Sequence, residues 1–137
     1  MKTEEARGFR GAIRAAAAWA LAASIGLVLA GQLSVVEHGV GHDVVDRELV
    51  DRATEFEPGT KVWFWNRVTG AARGDRIRHV WLHGGKEELS LELELGGPVW
   101  RTWSNKTLHP GSEGDWAVEA RGDDGSVLAR QEFRCGP

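Results

Sequence analysis

His79, His83, Ser104, Asp123, Asp124 and Cys135 are the side chains whose types could carry chemistry beyond packing. His79 and His83 would share a metal ion on a helix. On a strand they stand about 13 Å apart at ~3.3 Å per residue, too far for one ion with ~2 Å bonds, so a site there needs acidic partners from a neighbouring strand. His38 and His42 have the same spacing, and the glycines at 39 and 41 argue against the helix that would bring them together. Ser104 could act as a nucleophile beside a histidine and an aspartate, but no Gly-x-Ser-x-Gly elbow surrounds it. Asp123-Asp124-Gly125 fits a tight hairpin turn better than a calcium site. Cys135 is the single cysteine, so no internal disulfide and no thiolate zinc site can form; it reads as a free thiol on a frayed end. No catalytic residues, no metal set and no cofactor motif emerge, and the expectation is a protein that is not an enzyme.

Tryptophan stands above this background. Seven occur with no tyrosine, and six of them (Trp63, Trp65, Trp81, Trp100, Trp103 and Trp116) fall between residues 63 and 116. Residues 99–108 hold two of them with Arg101 and Lys106, between Gly-Gly-Pro and His-Pro-Gly breaks. Large indoles supply core area that a small domain needs. They also make flat platforms for sugar rings or a partner protein, with an arginine stacked over the indole. The candidate binding residues on that second reading are Trp63, Trp65, Trp81, Arg101 and Trp103. The partner is then an envelope protein or, alternatively, a glycan such as peptidoglycan. With a net charge of −3, nucleic acid is not expected.

These residues need elements to position them, and the pattern is of strands. Residues 61–68 (Lys-Val-Trp-Phe-Trp-Asn-Arg-Val) and 77–83 are rich in aromatic and β-branched residues. Leu89, Leu91, Leu93 and Leu95 alternate with Ser90, Glu92 and Glu94, which puts the leucines on one face. Residues 44–47, 99–104, 115–121 and 126–134 complete about seven strands, separated by Pro58-Gly59, Gly84-Gly85, Gly96-Gly97-Pro98, His109-Pro110-Gly111 and Asp124-Gly125. The spacing predicts an all-β fold, an antiparallel immunoglobulin-like β-sandwich over residues 44–134. The four leucines should point into the core. Val62, Phe64 and Val68 should face inward with Val80 and Leu82, leaving Trp63, Trp65, His79 and Trp81 outward, with at least one of the three tryptophans exposed.

The N-terminus sets the compartment. Lys2, Arg7, Arg10 and Arg14 precede an uncharged run from Ala15 to Val36. Basic residues before an apolar run mark export, and about 22 residues suffice to span ~30 Å of hydrocarbon. Residues 1–36 read as a signal peptide cleaved after Ala30 or as a single-pass membrane anchor helix, and residues 37–43 as a linker. The expected location is the periplasmic or extracytoplasmic face, tethered by residues 15–36. Without residues 1–30, thirteen basic and eighteen acidic residues remain, a net of −5. Such a domain is not drawn to anionic lipid.

In order along the chain, Trp63-x-Trp65-x-Arg67-Val68-x-Gly70, His79-Val80-Trp81, Trp100-Arg101-Thr102-Trp103-Ser104, Gly114-x-Trp116-x-Val118, Asp124-Gly125-x-Val127-Leu128 and Phe133 resemble a bacterial exported family, domain-of-unknown-function family 2914. The resemblance covers roughly residues 44–134. It implies a small β-rich domain behind a signal or membrane segment, of uncharacterised activity, and it carries no catalytic residues onto this chain.

Overall fold

The computed structural model describes residues 32–137, and the segment expected to be a signal or anchor lies, up to residue 31, outside them. Among the described residues no helix is long and apolar enough to cross a membrane. The described chain is all strand and connection: β1 (Ser34–Val45), β2 (Glu48–Arg52), β3 (Glu55–Phe56), β4 (Lys61–Thr69), β5 (Arg76–His83), β6 (Lys86–Glu94), β7 (Val99–Thr107), β8 (Gly114–Arg121) and β9 (Val127–Cys135). They form a sandwich of a five-stranded sheet, in the order β3-β9-β8-β5-β6, and a four-stranded sheet, in the order β2-β1-β4-β7. All pairings are antiparallel except the short parallel contact of β3 with β9. Nine strands replace the expected seven because β2 and β3 arise inside the stretch 48–60.

The stretch expected to be a linker, 37–43, is the middle of β1, the longest strand. Its glycines are there for close approach. Gly39 and Gly41 stand opposite Trp65 and Trp63 in the β1–β4 register. A Cβ on Gly41 would meet the Val50 and Asp51 carbonyl oxygens at 2.7 and 2.9 Å, distances that real side chains do not tolerate. Ser34, Val35 and Val36, assigned to the end of the apolar run, also belong to this strand.

The core lies between the sheets. Val62, Phe64 and Val68 of β4 are fully buried, as their alternation requires, with Val40 of β1 beside Phe64 in register. From the other sheet come Ile77, Trp81, Trp116, Val118, Ala120 and Phe133. The leucine row faces this core: Leu95, just past the end of β6, is completely buried, Leu89 and Leu93 of β6 pack against the cluster, and Leu91 is half-buried on what is an edge strand. Glu92 and Glu94 are exposed.

That register overturns the orientation expected for β5. Ile77, His79 and Trp81 pair with Leu93, Leu91 and Leu89, so all three share the inward face. Val80 and Leu82 face out instead, and Val80 is buried there, paired with Ser90 and Glu119. The charged neighbours on this outer face are held in ion pairs: Arg76 and Arg78 with Glu92, and Arg121 and Arg130 with Glu119. Burial pulls the Glu119 carboxyl up. The hydrogen bonds and charges of Arg121 and Arg130 outweigh it and hold the group below the ordinary carboxylate range.

Cys135 is not on a frayed end. It pairs with Gly114 and Phe56 and is fully buried. Burial and the Glu113 charge push its thiol upward, which makes it a poor nucleophile.

Candidate functional site

Two groups of residues are candidates for function: a polar chain inside the sandwich and an aromatic face outside it. The polar chain starts at Trp81. Its Nε1–H can only donate, and Ser104 Oγ accepts at 3.2 Å. Ser104 then turns its own proton to His79 Nδ1, 2.7 Å away. His79 Nε2–H donates to Asn66 Oδ1, also at 2.7 Å. This order fixes one neutral tautomer of His79. Burial lowers the imidazole pKa to about 3, so the ring stays uncharged at any physiological pH. Asn66 Nδ2 is left without a partner among the described residues, as is the Nδ1 of His38, its register partner on β1.

A serine, a histidine and an asparagine in a row resemble a nucleophile, a base and its orienting group. Their setting gives them a different task. Asn66 and His79 are completely buried and Ser104 is 6% exposed, with Phe64 packed 4.6 Å from the imidazole. Ser104 Oγ is held inside that packing by His79 and Trp81. The chain joins β5 of one sheet to β4 and β7 of the other, and it explains how a histidine can occupy a core position: its two nitrogens are satisfied.

The aromatic face is the outer side of the four-stranded sheet. In the β4–β7 register Trp65 stands opposite Trp103, Arg67 opposite Arg101 and Trp63 opposite Asn105, so these side chains share one face. Trp63 and Trp103 are partly exposed and Trp65 is 1% exposed. Trp65 is covered by the β1–β2 hairpin: its Nε1 donates to the Arg47 carbonyl at 2.9 Å, and the Arg52 guanidinium stands 5.8 Å from the ring centroid. Lys61 stands 5.8 Å over Trp63. Arg47 stands 5.0 Å from Trp100 and 5.5 Å from Trp103.

The five expected binding residues therefore divide. Trp63, Trp65, Arg101 and Trp103 are brought together on one face. Trp81 is not; it is completely buried in the core. Arg101, expected over an indole, instead forms an ion pair with Glu48, and Arg47 takes the place above the rings. His83, read only as sharing a strand face with His79, stacks on Trp116 at 4.5 Å and 7°. Among the described residues no three His, Cys, Asp or Glu side chains cluster as a metal site would require.

Arg47 and Asn66 are not among the site residues expected from sequence, although Asn66 leaves a trace there. Asn66 falls on the inward positions of β4, two residues from both Phe64 and Val68, where a polar residue needs a partner. Asp46 and Arg47, expected to end a strand over residues 44–47, are instead the two-residue turn between β1 and β2. Val45 pairs with Glu48, and Asp46 and Arg47 both have positive φ, 52° and 67°. This is the type I′ geometry in which the second position is usually glycine. Holding an arginine left-handed costs about 1 kcal/mol.

The class these features define is an all-β sandwich domain of two sheets. Residues 74–135 match the family model described as "Protein of unknown function (DUF2914)", the family that the tryptophan motifs resemble; residues 44–73, including Trp63 and Trp65, lie outside the match. No curated protein matches the chain. Among solved structures, the CARDB domain of a Pyrococcus furiosus protein in complex with di-metal ions is similar at 12% identity and a TM-score of 0.45, covering 77% of this chain and 91% of that one. A likeness of that size carries nothing about function to this chain.

Proposed function

We propose that this chain is a non-enzymatic recognition module, exported and tethered at the extracytoplasmic face of the membrane by its N-terminal apolar run, which binds another protein through the outer face of its four-stranded sheet. The observation that carries the reading is the placement of Trp63 and Trp103, partly exposed around the buried Trp65 on one face. Partly exposed indoles beside arginines are what the centres of protein interfaces are enriched in. The enclosure of Ser104, His79 and Asn66 in the core supports a binding role over catalysis. We also read the strand order as immunoglobulin-like: β9-β8-β5-β6 and β1-β4-β7 follow the G-F-C-C′ and A-B-E order of such sandwiches.

The test compares the wild-type chain with a Trp63→Ala, Trp103→Ala double variant. After crosslinking in the producing cell, the wild type should repeatedly co-purify with one envelope protein, and the variant should lose it while keeping its melting temperature. Recovery of the wild type alone counts against the reading. Retention on peptidoglycan or surface polysaccharide, lost in the same variant, would replace the protein partner with a glycan.

A further inference from the structure

The hairpin turn at Arg47 is strained where it need not be. A glycine would adopt φ 67° freely, yet an arginine occupies the position. Strain held at a surface turn points to something the side chain does. The guanidinium lines a groove of about 580 Å³ with Glu37, Glu48, Arg67, Trp100 and Arg101. The carboxylates there are already taken: Glu37 is held by Arg67 and Arg52, each at 3.0 Å, and Glu48 by Arg101. Arg47 has no carboxylate partner among the described residues. It makes one long bond, to the Arg101 carbonyl at 3.3 Å, and it stands over the rings of Trp100 and Trp103. Four of its five N–H donors remain for a ligand. A guanidinium set against indoles is a fork for a planar, charged acceptor, and a carboxylate fits it in two parallel bonds.

The groove also says what carries the carboxylate. It opens beside Val99, Trp100 and Arg101 of β7, the last strand of its sheet, and Val99 is 62% exposed. All nine residues of β7 pair in unbroken register with β4, so its other edge is straight. A straight, unpaired strand edge offers backbone donors and acceptors that an extended polypeptide can complete and a polysaccharide cannot. With three arginines against two glutamates, the groove is positive on a domain that is acidic overall.

We propose that the Arg47 groove binds an acidic, extended segment of a partner polypeptide, which lies along the β7 edge and places a carboxylate side chain on the Arg47 guanidinium. This inference rests on the reading of the sheet face given under Proposed function. The experiment selects a phage-displayed random nonapeptide library on the full-length chain in mild detergent, in parallel with Arg47→Gly and Arg47→Asn. Both replacements accept a left-handed backbone, so both should melt no earlier than the wild type. The expected result is at least a several-fold enrichment of Asp and Glu on the wild type that vanishes on both variants. Acidic peptides held equally by the variants overturn the proposal. So does loss of binding only alongside a lowered melting temperature in both, which would assign Arg47 to packing. Enrichment of neutral or basic peptides overturns it while leaving a protein-binding face intact. No enrichment of any peptide, or retention of polygalacturonate instead, overturns both. Concentration-dependent self-association of the wild type, abolished by Arg47→Gly, would put a second copy of this chain in the groove and overturn the separate partner.

Discussion

At the scale of the residue, the same side-chain type does opposite work in different settings. His79 is a core residue because Ser104 and Asn66 satisfy both ring nitrogens; His83, four positions on, packs flat on Trp116 near the surface. Burial has a measurable consequence. Folded His79 stays neutral down to about pH 3, whereas an unfolded histidine takes up its proton near pH 6.5. Between those values the unfolded chain binds the extra proton. The contribution of His79 is therefore complete above pH 6.5 and is lost as pH falls toward 3, by about 1.4 kcal/mol for each unit well inside that window. Chemical denaturation at pH 7, 6 and 5 should show stability falling, and His79→Gln should flatten the fall. An unchanged slope in the variant would assign the effect to other groups.

Among the elements, β6 and the β1–β2 hairpin show what a sequence discloses and what it hides. The period of two over 89–95 is legible because a strand with one buried face repeats apolar residues at that spacing, and the leucines do face the core. Their depth was not legible, since it depends on β6 lying at a sheet edge. Leu95→Ala should cost about 2–5 kcal/mol, the range for a fully buried leucine, and Leu91→Ala clearly less; equal losses in urea unfolding would contradict the edge placement. The orientation of β5 is not legible from its own residues because both faces are apolar, Ile77 and Trp81 on one and Val80 and Leu82 on the other, until the register with β6 decides between them. Pairing β5 with the leucine strand already implied that Trp81 faces inward, and the polar chain supplied the missing reason. Gly39 and Gly41 resemble linker glycines, but they make room for β2, whose Leu49 and Arg52 side chains and Val50 and Asp51 carbonyls lie where a Cβ would stand. Gly41→Ala should therefore destabilise by about 1–3 kcal/mol through overpacking. Thermal unfolding checks this, and a neutral effect would mean that β2 does not lie where it is described.

On the scale of the whole molecule, two faces of the sandwich are used differently. The outer side of the five-stranded sheet is a lattice of Arg–Glu pairs over Val80, with its charges largely matched. The outer side of the four-stranded sheet keeps Trp63 and Trp103 partly exposed under Lys61 and Arg47. Four of the five binding residues expected from sequence share that face because alternation and strand pairing placed them there. The arginine over the rings was hidden because it comes from a turn 54 residues away from Arg101, the residue whose carbonyl it caps. On the proposed function, the partner meets this face and not the other. Site-specific photo-crosslinking tests it most directly, with a photoreactive residue introduced in the producing cell at Trp63, at Trp103 or at Asn105 on one side, and at Arg78, Glu92 or Arg121 on the other. One discrete crosslinked species is expected from the first three positions and none from the last three. A species obtained from Arg78, Glu92 or Arg121, and not from Trp63 or Trp103, would contradict it.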